Sequence, residues 1–143
     1  HVVPSTMNEW GAGMRRDGGR KVSTDWAVPY EVMPAAVATA RRIADEHGVP
    51  QPITYGHAGS GHPHQNFMSP TAAAVERAER AITEILRHVI ANGGTVAAEH
   101  GIGKLKRRWV SMQLSALQAR AMQAIKRELD PDGLLAPGNL FVS

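Results

Sequence analysis

Gly56-His57-Ala58-Gly59-Ser60-Gly61-His62-Pro63-His64-Gln65-Asn66 packs three glycines and three histidines into eleven residues. The glycines break the segment into two extended arms, Ile53 to His57 before the turn and His62 to Met68 after it. A turn as short as Gly59-Ser60-Gly61 joins antiparallel strands, so the stretch reads as a hairpin. Alternation on the second arm puts His62, His64 and Asn66 on one face and Pro63, Gln65 and Phe67 on the other. The turn folds His57 back toward His64.

The flanking segments supply helices. Upstream, Val22, Trp26 and Val28 are β-formers in a run from Lys21 closed by Pro29. Residues 31–46 carry Met33, Val37, Ala40 and Ala44 on one helical stripe, with Pro34 in the first turn and Gly48 and Pro50 after the end. Downstream, Ser69-Pro70 reads as N-cap and first helical residue of a helix whose apolar face is Val75, Ala78, Ile82, Ile85 and Val89, stopped by Gly93-Gly94. Thr95 to Ala98 reads as a further buried strand. A short basic helix follows the Gly101–Gly103 turn. Ser115-x-x-Gln118 is a capping box for a last helix that turns Leu117, Ala121, Met122, Ile125 and Leu129 inward. Asp130-Pro131-Asp132-Gly133 is a turn, and Leu134 to Phe141 finishes extended. The order β-α-β-β-α-β-α-α predicts an α+β domain, a mainly antiparallel sheet with helices packed on one face. Residues 1–20, broken by Gly11, Gly13, Gly18 and Gly19, read as a flexible arm or a remnant of preceding structure, and residues 21–143 as the domain.

Composition narrows the chemistry. The chain has 143 residues, net charge +3 and no cysteine, which excludes a disulfide scaffold, thiolate metal sites, iron–sulfur clusters and a cysteine nucleophile. A chain of this length buries about two-thirds of its unfolded surface and needs no staples. No apolar run approaches the roughly 20 residues of a membrane span. The chain opens on His1 with no secretory signal ahead of the fold and reads as a fragment or processed chain.

His57, His62 and His64 on the hairpin, with Glu99 and His100 at the end of the next strand, form a constellation. Two or three imidazoles and one carboxylate are a frequent ligand set for zinc, manganese or iron(II), with a position open to substrate. The alternative is a set of hydrogen-bonding histidines around a glycine-rich turn. Other motifs fail. Gly101-Ile102-Gly103-Lys104 has Ala98 and Leu105 where a phosphate loop needs glycine and Ser/Thr, and there is no H-E-x-x-H or G-x-S-x-G. Lys104, Lys106, Arg107 and Arg108, with Trp109 behind them, read as a solvated helix face near a carboxylate pocket ahead of a nucleic-acid patch, since no second basic patch supports it. Trp26 reads as core.

Four stretches in this order, Val22-Ser23-Thr24-Asp25-Trp26-Ala27-Val28-Pro29, Gly56 to Asn66, Ala98-Glu99-His100-Gly101-Ile102-Gly103, and Ile125 to Gly138, resemble the C-terminal domain of FAD-linked oxidases. That group holds D-lactate dehydrogenase, the glycolate oxidase flavoprotein subunit and D-2-hydroxyglutarate dehydrogenase. The resemblance covers about residues 20 to 143. It implies a cap domain over a flavin held by a separate N-terminal domain. It further implies a divalent metal, zinc foremost, on His57, His64 and Glu99, with His100 as the base for the substrate hydroxyl and Asn66 as a substrate contact.

Three positions depart from the family pattern. Ser60 stands where aspartate is usual, His62 where asparagine is usual, and Ala136 where asparagine precedes Pro-Gly. His62 thereby adds an imidazole facing the pocket, read as a substrate contact with ligand and bystander as alternatives. The arginine that grips the substrate carboxylate in relatives lies upstream, where Arg15 or Arg16 are the candidates. Nothing in the chain replaces the FAD-binding domain, so no cofactor-binding residue is assigned. The expectation is the substrate- and metal-binding part of an enzyme oxidising a D-2-hydroxy acid to the 2-oxo acid with hydride transfer to flavin, inactive alone. The alternative is a non-catalytic cap partnering a flavin subunit. Expected partners are the 2-hydroxy acid, the FAD-binding domain and a second copy in a homodimer, without nucleic acid or a membrane span. The expected location is cytoplasmic, with peripheral attachment to the inner membrane as an open variant.

Overall fold

The computed structural model describes residues 17–141. The arm up to residue 16, including Trp10, Arg15 and Arg16, lies outside that range. Three strands form one antiparallel sheet: β1 (Gly18–Thr24), β2 (Ile53–His57) and β3 (His62–Thr71), in the order β1-β3-β2. Four helices accompany them among the described residues: α1 (Met33–Glu46), α2 (Ala72–Ala91), α3 (Arg107–Val110) and α4 (Ala116–Leu129). This is the α+β class that the sequence predicts.

The hairpin pairs as expected, with His57 opposite His62 and Tyr55 opposite His64. On the other side of β3, Val22 pairs with Phe67 and Ser23 with Asn66. Directly opposed residues share a face, so Val22, Thr24, Gln65 and Phe67 face the helices. His57, Tyr55, His62, His64 and Asn66 face away from them. α2 lies along β1 and β3 on the first face, and α1 packs beside it.

Both helices bury the stripe their spacing predicts, with small shifts. In α2 the buried set is Ala74, Val75, Ala78, Ala81, Ile82, Ile85, Leu86 and Val89. In α1 it is Ala36, Ala40, Ile43 and Ala44, with Met33 and Val37 only partly covered. Trp26 and Phe67 are fully buried between sheet and helices. Each such large side chain contributes roughly 1.5–3 kcal/mol of burial free energy. The indole N–H of Trp26 is satisfied by Gln65 Oε1 at 3.1 Å, which lets a polar strand residue sit wholly inside.

Several boundaries differ from the sequence reading. β1 begins at Gly18, inside the segment read as an arm, and ends at Thr24 rather than Pro29. Ser69-Pro70 does not open α2: both residues lie in β3, and Thr71 is the N-cap, its hydroxyl accepting from Ala74 N–H at 3.2 Å. Pro70 is tolerated there because β2 reaches only to Asn66, leaving that end of β3 with a neighbour on one side. Thr95 to Ala98 is not a strand of the sheet. It touches the chain after β1 through two isolated bridges, Ala27 with Thr95 and Asp25 with Ala97.

The C-terminal quarter departs most. The Ser115–Gln118 capping box forms, but no residue of α4 is buried, and Leu117, Ile125 and Leu129 are exposed. Leu134 to Phe141 is a series of turns and bends rather than an extended run. Asp130 causes the first of these, its carboxylate accepting from the N–H groups of Leu134 and Leu135 at 2.9 and 3.0 Å. Ala136 adopts a left-handed φ of 47°, a region asparagine tolerates better than alanine.

The basic cluster also separates. Trp109 is buried and donates to Thr83 Oγ1 at 3.0 Å, so it is no exposed stacking platform. Arg108 makes two contacts of 2.6 Å with the Glu79 carboxylate, which Arg20 of β1 also engages. Arg107 donates to the Gly138 carbonyl at 2.8 Å. The arginines are thus tied to the domain rather than forming one solvated face.

These contacts make two outcomes measurable. The Arg108 hydrogen bond, chiefly, and Arg20 hold the Glu79 carboxyl below its ordinary value against the opposing effect of burial. A depressed folded pKa gives stability that is present above the unfolded value and lost as pH falls through the folded one. Resistance of the metal-free chain to denaturant should therefore weaken as pH falls below about 5, and Glu79→Gln should flatten that dependence; an unaltered slope would contradict the assignment. Ala136→Asn should raise stability by several tenths to about 1 kcal/mol by relieving the left-handed alanine, read as a higher urea midpoint.

Candidate metal and substrate site

The site lies on the sheet face away from α1 and α2, where the 56–66 hairpin meets the loop at 98–101. Gly61 makes the hairpin close. Its φ is +66°, and a Cβ there would fall 2.0 Å from the Val28 carbonyl oxygen. Its own carbonyl accepts from Val28 N–H at 3.0 Å, stitching the turn to the chain after β1. Ser60 Oγ donates to the His57 carbonyl at 3.1 Å across the same turn.

The structure brings together the five site residues that carry an imidazole or a carboxylate. Glu99 Oε1 lies 3.1 Å from His64 Nε2 and 3.5 Å from both His57 Nε2 and His100 Nε2. The rings are in contact: His64 and His100 stack with centroids 4.8 Å apart, and His62 meets His64 edge-on at 4.4 Å. His62 and His64 are buried, whereas His57, Glu99 and His100 are about half exposed. Two overlapping donor groups result: His57, His62, His64 and Glu99, and Asp25, His64, Glu99 and His100, each with donor atoms within 4.8 Å of one another.

That donor set suits a divalent cation. Bonds of about 2.1 Å to a tetrahedral ion bring donors to roughly 3.4 Å, so the group needs only modest closure, available from the exposed side chains. His64 Nδ1 is buried without a hydrogen-bond partner among the described residues. Burial, then the neighbouring His62 and His100, hold the His64 imidazole below its ordinary pKa against the pull of Glu99 and Asp25. It is therefore neutral near pH 7, the form that ligates a metal.

Asn66 sits less openly than a substrate contact suggests. It is buried, its Oδ1 accepts from Ser23 Oγ at 2.7 Å, and its Nδ2 donates to Tyr55 Oη at 3.2 Å. Those partners fix the amide beside Tyr55, whose ring in turn lies 5.3 Å from that of His64, centroid to centroid.

Asp25 and Lys106 are the residues to which the sequence reading gave no role in the site. Asp25 is fully buried, with Lys106 Nζ and His100 N–H at 2.9 Å from Oδ2 and His62 Nε2 at 2.9 Å from Oδ1. Burial alone raises a carboxyl pKa, but the Lys106 ammonium, the His100 N–H and His62 outweigh it and hold Asp25 at about 2. A carboxylate accepts only, so His62 donates through Nε2. The available signal was a lone charge inside the otherwise uncharged, strand-forming run from Val22 to Val28.

The fold and the cluster define an α+β domain with an imidazole–carboxylate centre at one end of an antiparallel hairpin. The chain belongs to the family described as FAD linked oxidases, C-terminal domain, which it matches over residues 7–140. It is 34% identical over 119 residues to glycolate oxidase subunit GlcD of Bacillus subtilis, covering 82% of this chain and 25% of that protein. It is 33% identical over 125 residues to D-2-hydroxyglutarate dehydrogenase of Xanthomonas citri pv. viticola, covering 82% and 26%. A protein of Danio rerio named probable D-lactate dehydrogenase, mitochondrial, is 31% identical over 135 residues, covering 92% and 27%. The chain thus spans about a quarter of the length of these curated relatives. No helix among the described residues is long and apolar enough to cross a membrane.

The hairpin geometry yields a paired prediction. Gly61→Ala should lower unfolding stability by at least about 2 kcal/mol, from the left-handed φ and the contact with Val28. Gly59, where an added Cβ would have nothing within 4 Å, should accept alanine within about 0.5 kcal/mol. Equal urea midpoints for the two variants would contradict the role given to Gly61.

Proposed function

We propose that this domain supplies the metal- and substrate-binding side of a flavin-dependent oxidation of a D-2-hydroxy acid to the corresponding 2-oxo acid. The observation that carries the reading is the convergence of His57, His64, Glu99 and His100 around Glu99 Oε1, on a face open to solvent. Membership of the FAD-linked oxidase family and the names of the relatives support the reaction class.

His57, His64 and Glu99 would hold the ion, zinc foremost. Bound there, a divalent ion supplies a Lewis acid for the hydroxyl and carboxylate oxygens of the substrate. FAD, carried by the separate flavin-binding part of such enzymes, supplies the acceptor for the hydride. The chain's own residues do the rest. His100, half exposed beside Glu99, accepts the hydroxyl proton. His62, held through Nε2 by Asp25, and Asn66, held by Ser23 and Tyr55, present fixed polar groups toward the substrate. A shell held rigid in this way orients the α-hydroxy acid before reaction.

Elemental analysis of the chain purified without chelator, and calorimetric titration with zinc, test the reading. The expected result is about one zinc per chain, with affinity lowered at least about tenfold in both His57→Ala and Glu99→Ala. Absence of stoichiometric zinc binding in the unsubstituted chain would overturn the metal assignment. The isolated chain should not turn over D-2-hydroxy acids with an artificial electron acceptor, and turnover by it would overturn the assignment of hydride acceptance to a separate part.

A further inference from the structure

Asp25 joins segments that are far apart in sequence. It follows β1, its partner His62 opens β3, and the amides it accepts from belong to a loop more than seventy residues downstream. Oδ2 accepts from the N–H of His100 at 2.9 Å and of Ala98 at 3.2 Å, with Glu99 N–H at 3.5 Å from Oδ1. Lys106 Nζ donates to Oδ2 at 2.9 Å and to the Gly101 carbonyl at 3.0 Å, closing the loop from its far side. His62 Nε2 lies 2.9 Å from Oδ1, with His100 Nδ1 and His64 Nδ1 further off at 3.5 and 3.8 Å.

We propose that Asp25 is the positioning residue of this site: its buried carboxylate holds the 98–101 loop against β3 and thereby sets Glu99 and His100 in register with His57 and His64. The inference rests on the metal reading above for its consequence, but the loop geometry it asserts is independent of any ion. The backbone bridges of the loop end at Ala97 and Ala98, the latter donating to the Asp25 carbonyl at 2.7 Å. Beyond Ala98, the side-chain carboxylate accepts from the Glu99 and His100 N–H groups. Glu99 and His100 are half exposed, so packing alone does not fix them. Asparagine at position 25 would keep the volume but remove the charge that balances Lys106 and replace one acceptor oxygen with a donor N–H₂, among obligate donors in the Lys106 ammonium and the loop amides. The network would lose its centre without opening a cavity.

Amide hydrogen exchange on the metal-free chain reads the loop directly. His100 N–H should be protected in the unsubstituted chain and exchange at least about tenfold faster in Asp25→Asn, while Ala98 N–H, which retains the main-chain oxygen, stays protected. Ile85→Val, which lowers global stability from the far face of the sheet, should leave His100 unchanged relative to Ala98. Should Asp25→Asn fail to fold, Lys106→Met tests the same network, and faster exchange at His100 is again expected. In the zinc-bound chain, Asp25→Asn should weaken affinity about 10- to 100-fold and alter the visible spectrum of the cobalt(II) form, whereas Ile85→Val should do neither. Unprotected His100 N–H in the unsubstituted chain, or unchanged His100 exchange in folded Asp25→Asn or Lys106→Met, overturns the proposal. If the unsubstituted chain binds no zinc while His100 responds as expected, the metal reading fails and the positioning role stands.

Discussion

A charged carboxylate with no exposed surface is the constraint around which the functional end of this domain is arranged. Asp25 is wholly buried, and an ionised group in that setting is strongly disfavoured unless donors replace its water. The replacements come from three places: an imidazole on β3, backbone amides of the 98–100 loop, and the Lys106 ammonium ahead of α3. None of these is close to Asp25 in sequence. Satisfying one buried charge therefore requires the hairpin, the loop and the start of the basic segment to arrive together, and the site residues arrive with them.

This division explains the unequal exposure of the site. His62 and His64 are on the central strand, paired with β2, and lie against buried Asp25 and the His100 ring. His57, at the end of β2, and Glu99 and His100, on the loop, remain about half exposed. One half of the cluster has its rotamers set by packing, and the other half can adjust. Under the proposed metal- and substrate-binding role, such an arrangement would combine a fixed floor with movable ligands at lower reorganisation cost than a uniformly loose set.

Much of this was legible in the sequence because it depends on local rules. The hairpin is readable from glycine placement and alternation, α2 from its apolar period, and the Ser115–Gln118 cap from a four-residue pattern that forms as written. The convergence of His57, His62, His64, Glu99 and His100 followed from placing strand ends together. What escaped were features set by non-local partners. Ser69-Pro70 looks like a helix start, yet pairing of Arg20 with Ser69 keeps the segment extended until Thr71. Thr95 to Ala98 has strand composition, but its neighbours are two bridges rather than a ladder. Asp25 stood inside a quoted motif without a role because its donors lie at positions 62, 98–100 and 106.

The last helix shows the same limit from the other direction. α4 has the cap, the length and the apolar spacing of a core helix, and those local properties are enough to form it. They do not supply a surface to bury it against, and Leu117, Ile125 and Leu129 stay exposed in this chain. Its anchorage is polar instead: Lys126 reaches the Leu135 carbonyl at 2.7 Å, Asp130 turns the following residues, and Leu140 N–H returns to the Gly103 carbonyl at 3.2 Å. That last bond ends in the glycine turn directly after the Ala98–Gly101 loop. The C-terminal turns are therefore tied, through the Gly103 carbonyl and the Arg107 contact with Gly138, to the chain directly after the loop that carries Glu99 and His100 rather than to the α1–α2 core.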